Sequence, residues 1–114
     1  AYIAGCRMIF TERKTDKREL RRGVELKRGW EVIVAEDVIT TGGSVREVID
    51  ICEKEGAVVK AVSSIVDRSE VTKFKCPHHY LIKLDIDIYK PSECRLCGEN
   101  VPLVYPGSKK NGDN

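Results

Sequence analysis

The chain has 114 residues, 41% of them hydrophobic and 33% charged, which suits one soluble domain with a single core and excludes a disordered composition. No stretch approaches the roughly 18 apolar residues of a membrane span, and the first residues have neither a basic lead nor a long apolar run, so neither membrane insertion nor a secretory signal is expected. The net charge of +2 hides an uneven distribution, because residues 1–28 carry nine Lys/Arg against four Asp/Glu. Such a basic segment suits an anionic ligand and equally a solvated loop.

In chain order, Tyr2-Ile3-Ala4-Gly5 reads as the end of a helix closed by glycine. Arg7-Met8-Ile9-Phe10-Thr11 reads as a short strand, and Glu12 to Arg22, polar and lacking a helical stripe, as a mobile loop. Gly23 to Gly29 alternates between two glycines and suggests a short edge strand. Trp30 to Ala35 is a continuous β-branched run of the kind buried on both faces of a parallel sheet. Val45, Val48, Ile49 and Cys52 then fall on one face of a helix that Gly56 stops. Val58 to Val66 gives a second buried strand, which makes a βαβ unit and an α/β parallel sheet. Tyr80 to Leu84 suggests one more strand, and residues 108–114 a disordered tail.

The segment that carries chemistry is Val32 to Ser44. A buried strand ends in the carboxylates Glu36 and Asp37, and a turn with Gly42 and Gly43 leads directly into a helix. Ligands of open α/β sheets bind at the carboxyl ends of strands, and a helix N-terminus offers unpaired amides to a phosphate. The glycines let the backbone approach closely, while Thr40, Thr41 and Ser44 add hydroxyls. The carboxylates could hold sugar hydroxyls or a hydrated Mg²⁺. These features together suit a sugar phosphate. The plainer reading is a strand-to-helix turn capped by Ser44 or Thr41.

The whole string Glu36-Asp37-Val38-Ile39-Thr40-Thr41-Gly42-Gly43-Ser44 resembles the phosphoribosyl-pyrophosphate (PRPP) motif of the type I phosphoribosyltransferases, and within them the orotate phosphoribosyltransferases. Val66-Asp67-Arg68 and Val101-Pro102-Leu103-Val104 carry the same resemblance. It implies a parallel-sheet, Rossmann-like α/β fold over residues 1–107, incomplete at its N-terminus. It also implies transfer of 5-phosphoribosyl from PRPP to orotate, giving orotidine 5′-monophosphate and pyrophosphate with Mg²⁺, in a cytoplasmic homodimer. By the same resemblance, Glu36 and Asp37 contact the ribose hydroxyls, Thr40 to Ser44 wrap the 5′-phosphate, and Val38 and Ile39 belong with them to the PRPP-binding segment. Thr40 and Arg68 face orotate, and Arg13, Lys14 and Lys17 belong to a flexible catalytic loop that covers the pyrophosphate. Family members with a longer loop carry a His shortly after the last Lys, where this chain has Glu19. Lys14, Lys17 and Asp37 are the expected catalytic residues. Cations over the leaving group make chemical sense, because pyrophosphate departs with growing negative charge and loop closure excludes water. The family's orotate hood and pyrophosphate-binding loop are expected before Ala1, so the 114 residues alone are expected to be inactive.

The five cysteines are odd in number and scattered, which argues against a disulfide framework and for a reducing compartment. Cys94 and Cys97 have the spacing of half a zinc site, to which Cys76, His78 and His79 could contribute, or they are simply reduced thiols in a C-terminal turn. Cys52 is expected in the core, and His78 and His79 on a surface loop. Two other functions compete with the transferase: a non-catalytic module of the same fold that binds PRPP or nucleotides, and a nucleic-acid or zinc-knuckle protein. The basic stretch is mixed in sign and lacks interleaved aromatics, so nucleic acid is not an expected partner.

Overall fold

The computed structural model describes residues 1–14, 17–21, 23–70, 73–87 and 89–102. The expected tail over residues 108–114, together with Leu103 and Val104, lies outside them. Two short strands, β1 (Thr11–Lys14) and β2 (Lys17–Leu20), precede β3 (Glu31–Ile39), α1 (Gly43–Lys54), β4 (Val58–Asp67), β5 (His78–Lys83) and a single helical turn, α2 (Arg95–Gly98). β3, β4 and β5 form one parallel sheet in that order, while β1 and β2 form a separate antiparallel pair. This is the expected α/β arrangement.

The core follows from the patterning of β3, α1 and β4. Val45, Ile49 and Cys52 on α1 are buried with Val34 of β3 and Val62 of β4, and Leu26, Ile39 and Ala57 complete the cluster. Val48, expected on the same helix face, packs against the cluster while half-buried. Strand side chains alternate between faces, and the face away from α1 leaves Ile33, Ile65 and Leu81 largely exposed. α1 ends as anticipated at Gly56, whose φ is 78°. The Ala57 amide donates to the Cys52 carbonyl at 2.9 Å and the Gly56 amide to that of Glu53 at 3.0 Å, a Schellman closure.

Several expectations are corrected. β3 does not stop at Ala35. Its ladder runs on through Glu36 and Val38 to Ile39, which pair with Ser64, Val66 and Asp67. Residues 7–10 are not a strand, and extended pairing begins at Thr11. The segment read as a mobile loop contains β1 and β2, held in register by backbone hydrogen bonds that no side-chain pattern announces. Residues 23–29 contain turns at Gly23 and at Arg28-Gly29 and no edge strand. Val24 donates back to Arg21, and Gly29 donates across to Gly56 at 2.8 Å. Tyr2 to Gly5 is a turn with the bonding of a helix end, since Cys6 donates to Ala1 and Gly5, at φ 63°, to Tyr2. His78 and His79 open β5. The His78 side chain is only 11% exposed and shares a 3.0 Å hydrogen bond with the Ser64 hydroxyl.

Candidate functional site

The turn between β3 and α1 has the features of an anion cradle. Gly42 is the N-cap of α1 at φ 74°, a left-handed conformation that a side chain would strain. As the N-cap, Gly42 offers no side chain to the helix amides, and the first turn carries no acidic residue. Ser44 forms no cap, and the Thr41 hydroxyl accepts one long hydrogen bond from the Gly43 amide, at 3.4 Å. Uncapped amides and the positive end of the helix dipole together favour an anion.

Glu36 and Asp37 stand at the entrance to this turn. Each carboxylate accepts from the next residue's amide, Asp37 N to Glu36 Oε1 at 3.3 Å and Val38 N to Asp37 Oδ1 at 2.7 Å. Asp37 is exposed and Glu36 half-buried, and among the described residues no cationic side chain pairs with either. Their remaining oxygens can accept from hydroxyls or a hydrated cation.

Arg68 follows β4 directly, and its amide donates to the Ile39 carbonyl at 2.7 Å. Register thus sets Arg68 beside the strand end that leads into Thr40. On residue types alone a salt bridge to Asp67 is the simpler role for Arg68, but Asp67 is engaged elsewhere. Its Oδ1 accepts from the Ser69 amide at 2.8 Å and hydroxyl at 2.6 Å, and its Oδ2 from Lys83 Nζ at 3.0 Å. Burial pushes the Asp67 carboxyl up, but the Ser69 bonds and the Lys83 ammonium outweigh it and hold the pKa at about 2. Arg68 Nε is buried without a hydrogen-bond partner. Arg68 lines a cleft of about 250 Å³ with Ser69, Glu70, Asp85, Ile86, Asp87 and Tyr89. Among the described residues the cleft's lining holds three carboxylates and one guanidinium, so net charge does not draw an anion there. Recognition has to rest on the forked donors of Arg68. The 40–44 turn does not line this cleft.

The expected loop cations sit on the β1–β2 pair. Arg13 Nη2 reaches Glu47 of α1 at 3.0 Å, and Arg18 Nε lies 3.6 Å from the same carboxylate. Lys14 and Lys17 face each other in register, and Lys14 Nζ lies 3.4 Å from Glu19 Oε2. Glu47 therefore fastens the basic hairpin to the helix that begins at the cradle.

The chain is similar to known phosphoribosyltransferases in sequence and in fold. The orotate phosphoribosyltransferase of Caldanaerobacter subterraneus subsp. tengcongensis is 48% identical over 107 residues, covering 93% of this chain and 56% of that protein. That of Thermotoga maritima is 46% identical over 104 residues, covering 90% and 56% respectively. This chain is related to the orotate phosphoribosyltransferases. It spans a little over half the length of these relatives. Among solved structures, the adenine phosphoribosyltransferase of Thermoanaerobacter pseudethanolicus superposes with a TM-score of 0.53 at 15% identity, covering 68% of this chain and 48% of that one. That of Rhodothermus marinus gives 0.52 at 22%, covering 68% and 49%. At such identities the likeness speaks for the fold, which is that of the phosphoribosyltransferases. No protein-family model matches the chain.

Two features of this orotate phosphoribosyltransferase relative escape a reading of the sequence. Arg46, in the first turn of α1, donates from Nη1 to the Thr41 carbonyl at 2.9 Å, and its guanidinium lies 5.6 Å from the centre of the Phe74 ring. It adds positive charge to the cradle, and its position just past Ser44 is the only sequence signal for it. The second is Lys83, whose role depends on a partner 16 positions away. Among the described residues no three His, Cys, Asp or Glu groups assemble as metal ligands, so Cys94 and Cys97 do not join Cys76, His78 and His79. Cys52 is buried as expected, and burial raises its thiol. No helix among the described residues is long and apolar enough to cross a membrane.

Proposed function

We propose that this chain carries the PRPP-binding portion of an orotate phosphoribosyltransferase, transferring 5-phosphoribosyl from PRPP to orotate with release of pyrophosphate. The observation that carries the reading is the turn at Gly42, entered from Glu36 and Asp37 and adjoined by Arg68, whose Nε has no hydrogen-bond partner among the described residues. The 5′-phosphate would rest on the amides from Thr40 to Ser44, the ribose hydroxyls on Glu36 and Asp37, and the carboxylate or carbonyl edge of orotate on Arg68. Arg13, Lys14 and Lys17 would stabilise the leaving pyrophosphate.

Glu36 and Asp37 fit a Mg²⁺ requirement, as carboxylate acceptors with oxygens left over from their backbone contacts. The ion would neutralise the pyrophosphate charge when bound. A homodimer in the cytoplasm, with the basic hairpin serving a neighbouring subunit, belongs to the same reading. The exposed Ile33, Ile65 and Leu81 support the expectation that this chain by itself is inactive.

The test joins this chain to the unmatched part of the Thermotoga maritima relative and follows pyrophosphate release from PRPP. Release that requires both orotate and Mg²⁺ is the expected result. PRPP binding with no orotate effect, in calorimetry and turnover alike, would identify a non-catalytic PRPP-binding module instead.

A further inference from the structure

Arg46 holds the turn before α1 twice, each time by a carbonyl. Its backbone amide donates to the Gly42 carbonyl at 3.0 Å, the first bond of the helix, and its Nη1 donates to the Thr41 carbonyl at 2.9 Å. Among the described residues no backbone amide donates to the Thr41 carbonyl. The helix therefore fixes the Gly42–Gly43 peptide, whereas the Thr41–Gly42 peptide depends on a side chain.

That dependence matters because this peptide can turn over. The rotation changes ψ of Thr41 and φ of Gly42, and glycine accepts φ of either sign at similar cost. In a trans peptide the carbonyl and the following N–H point in opposite directions, and no peptide bond among the described residues is cis. With the Thr41 carbonyl held by Arg46, the Gly42 amide faces away from the guanidinium. Turned over, the same peptide would present a carbonyl oxygen where the amide now stands. An amide binds a phosphate and a carbonyl oxygen repels it.

The guanidinium is itself braced. It lies 5.6 Å from the centre of the Phe74 ring, within cation–π range. Phe74 packs against the core cluster, and the His78 ring meets it edge-on, at 85° with centroids 5.5 Å apart. The hydrogen bond between His78 and the Ser64 hydroxyl anchors that ring in turn. An exposed arginine otherwise keeps much of its rotamer freedom, so Phe74 makes the contact to Thr41 persistent.

We propose that Arg46, braced by Phe74, is a positioning residue for phosphoribosyl binding, holding the Thr41–Gly42 peptide in the orientation that turns the Gly42 amide toward the 5′-phosphate. The proposal rests on the PRPP reading of this turn and adds the device that keeps the turn in its binding form. Arg46 acts through the backbone and needs no contact with the phosphate.

The test is calorimetry of PRPP with Mg²⁺ on the full chain and its variants, at low and high salt. Arg46→Ala should weaken PRPP about tenfold. The deficit should persist at high salt, because it comes from backbone orientation and not from an exposed charge. Phe74→Leu should weaken PRPP about threefold although Arg46 is intact, and Phe74→Tyr, which keeps the ring, should bind like the natural chain. In isotope-labelled protein the Gly42 amide resonance should shift on adding PRPP to the natural chain and hardly move in Arg46→Ala, a signature that a loss of stability alone would not give. The proposal fails if Arg46→Ala or Phe74→Leu binds PRPP like the natural chain, if the deficit disappears at high salt, or if Gly42 responds equally in both proteins. Absence of PRPP binding in the natural chain would instead overturn the phosphate reading of the turn, and this proposal with it.

Discussion

Lys83 at the end of β5 holds Asp67 at the end of β4, Nζ to Oδ2 at 3.0 Å, and in doing so leaves Arg68 without its nearest carboxylate. With Ser69 filling the other carboxylate oxygen, the strand end is satisfied internally and the next side chain is left for a ligand. Arg68→Ala should therefore lower affinity for orotate about tenfold or more while changing PRPP affinity and melting temperature little, since among the described residues its Nε has no hydrogen-bond partner to lose. Arg68→Lys should not restore binding, because an ammonium cannot present two parallel donors. Calorimetry with each substrate separates the two affinities. Unchanged orotate binding in Arg68→Ala would remove Arg68 from the site.

The same network predicts an acid limb in stability. The Asp67 carboxyl is lowered from 3.8 to about 2 on folding. A folded pKa below the unfolded one gives stability that is complete above pH about 4 and is lost as pH falls from there through about 2. The loss amounts to about 2 kcal/mol at most, at 1.36 kcal/mol per pKa unit. Chemical denaturation at pH 6, 4 and 2 should show this loss in the natural chain and less of it in Asp67→Asn. The variant should also be less stable at pH 6, because Lys83 then lies beside a neutral amide. An identical pH dependence in both proteins would show that other carboxylates set the acid limb.

How much of this was legible beforehand depends on how far apart the cooperating residues lie. Val45, Ile49 and Cys52 announce α1 through helical spacing, and the β-branched run at Val32 to Val34 announces β3, because each is a local pattern that burial enforces. Glu36 and Asp37 read as a strand end, and the strand continues because ladder bonds to β4 do not depend on side-chain polarity. The β1–β2 pair was illegible for a stronger reason. Its register opposes Glu12 to Glu19, Arg13 to Arg18 and Lys14 to Lys17, pairings that local rules count as unfavourable. Its anchor is Glu47, 34 positions beyond Arg13. At the site, the motif string gave the turn and the acidic pair, whereas the freedom of Arg68 hung on Lys83, which no spacing connects to it.

Gly42 and Gly43 should respond differently to alanine. At Gly42 the φ of 74° makes any side chain strained, so Gly42→Ala should cost about 1–2 kcal/mol and lower the melting temperature. At Gly43 an added Cβ meets only Thr41 Oγ1, at 3.6 Å, which is ordinary contact, and alanine favours a helical position. Gly43→Ala should therefore keep or slightly raise the melting temperature while weakening PRPP about tenfold, because the methyl occupies the approach to the α1 amides. Thermal melts and PRPP titration of both variants test this pair. PRPP affinity unchanged in Gly43→Ala would mean that the phosphate does not lie on this turn.

Glu47 has a mechanical role that its energy understates. Its ion pairs to Arg13 and Arg18 are at least partly exposed, with Glu47 42% and Arg13 56% accessible, so together they contribute about 1 kcal/mol or less to stability. Yet they join the hairpin to α1, which β2 otherwise touches only lightly, and cations needed over a pyrophosphate must leave Glu47 to reach it. Glu47→Gln should shift the melting temperature by only a few degrees and raise tryptic cleavage after Arg13, Lys14, Lys17 and Arg18 several-fold. Raising salt should bring the natural chain toward the variant, because exposed pairs are screened. PRPP with Mg²⁺ should protect the hairpin in both proteins, since a polyanion replaces the single carboxylate. Cleavage rates equal in the natural chain and the variant, at low salt and without PRPP, would show that the hairpin is held by its backbone pairing and not by Glu47.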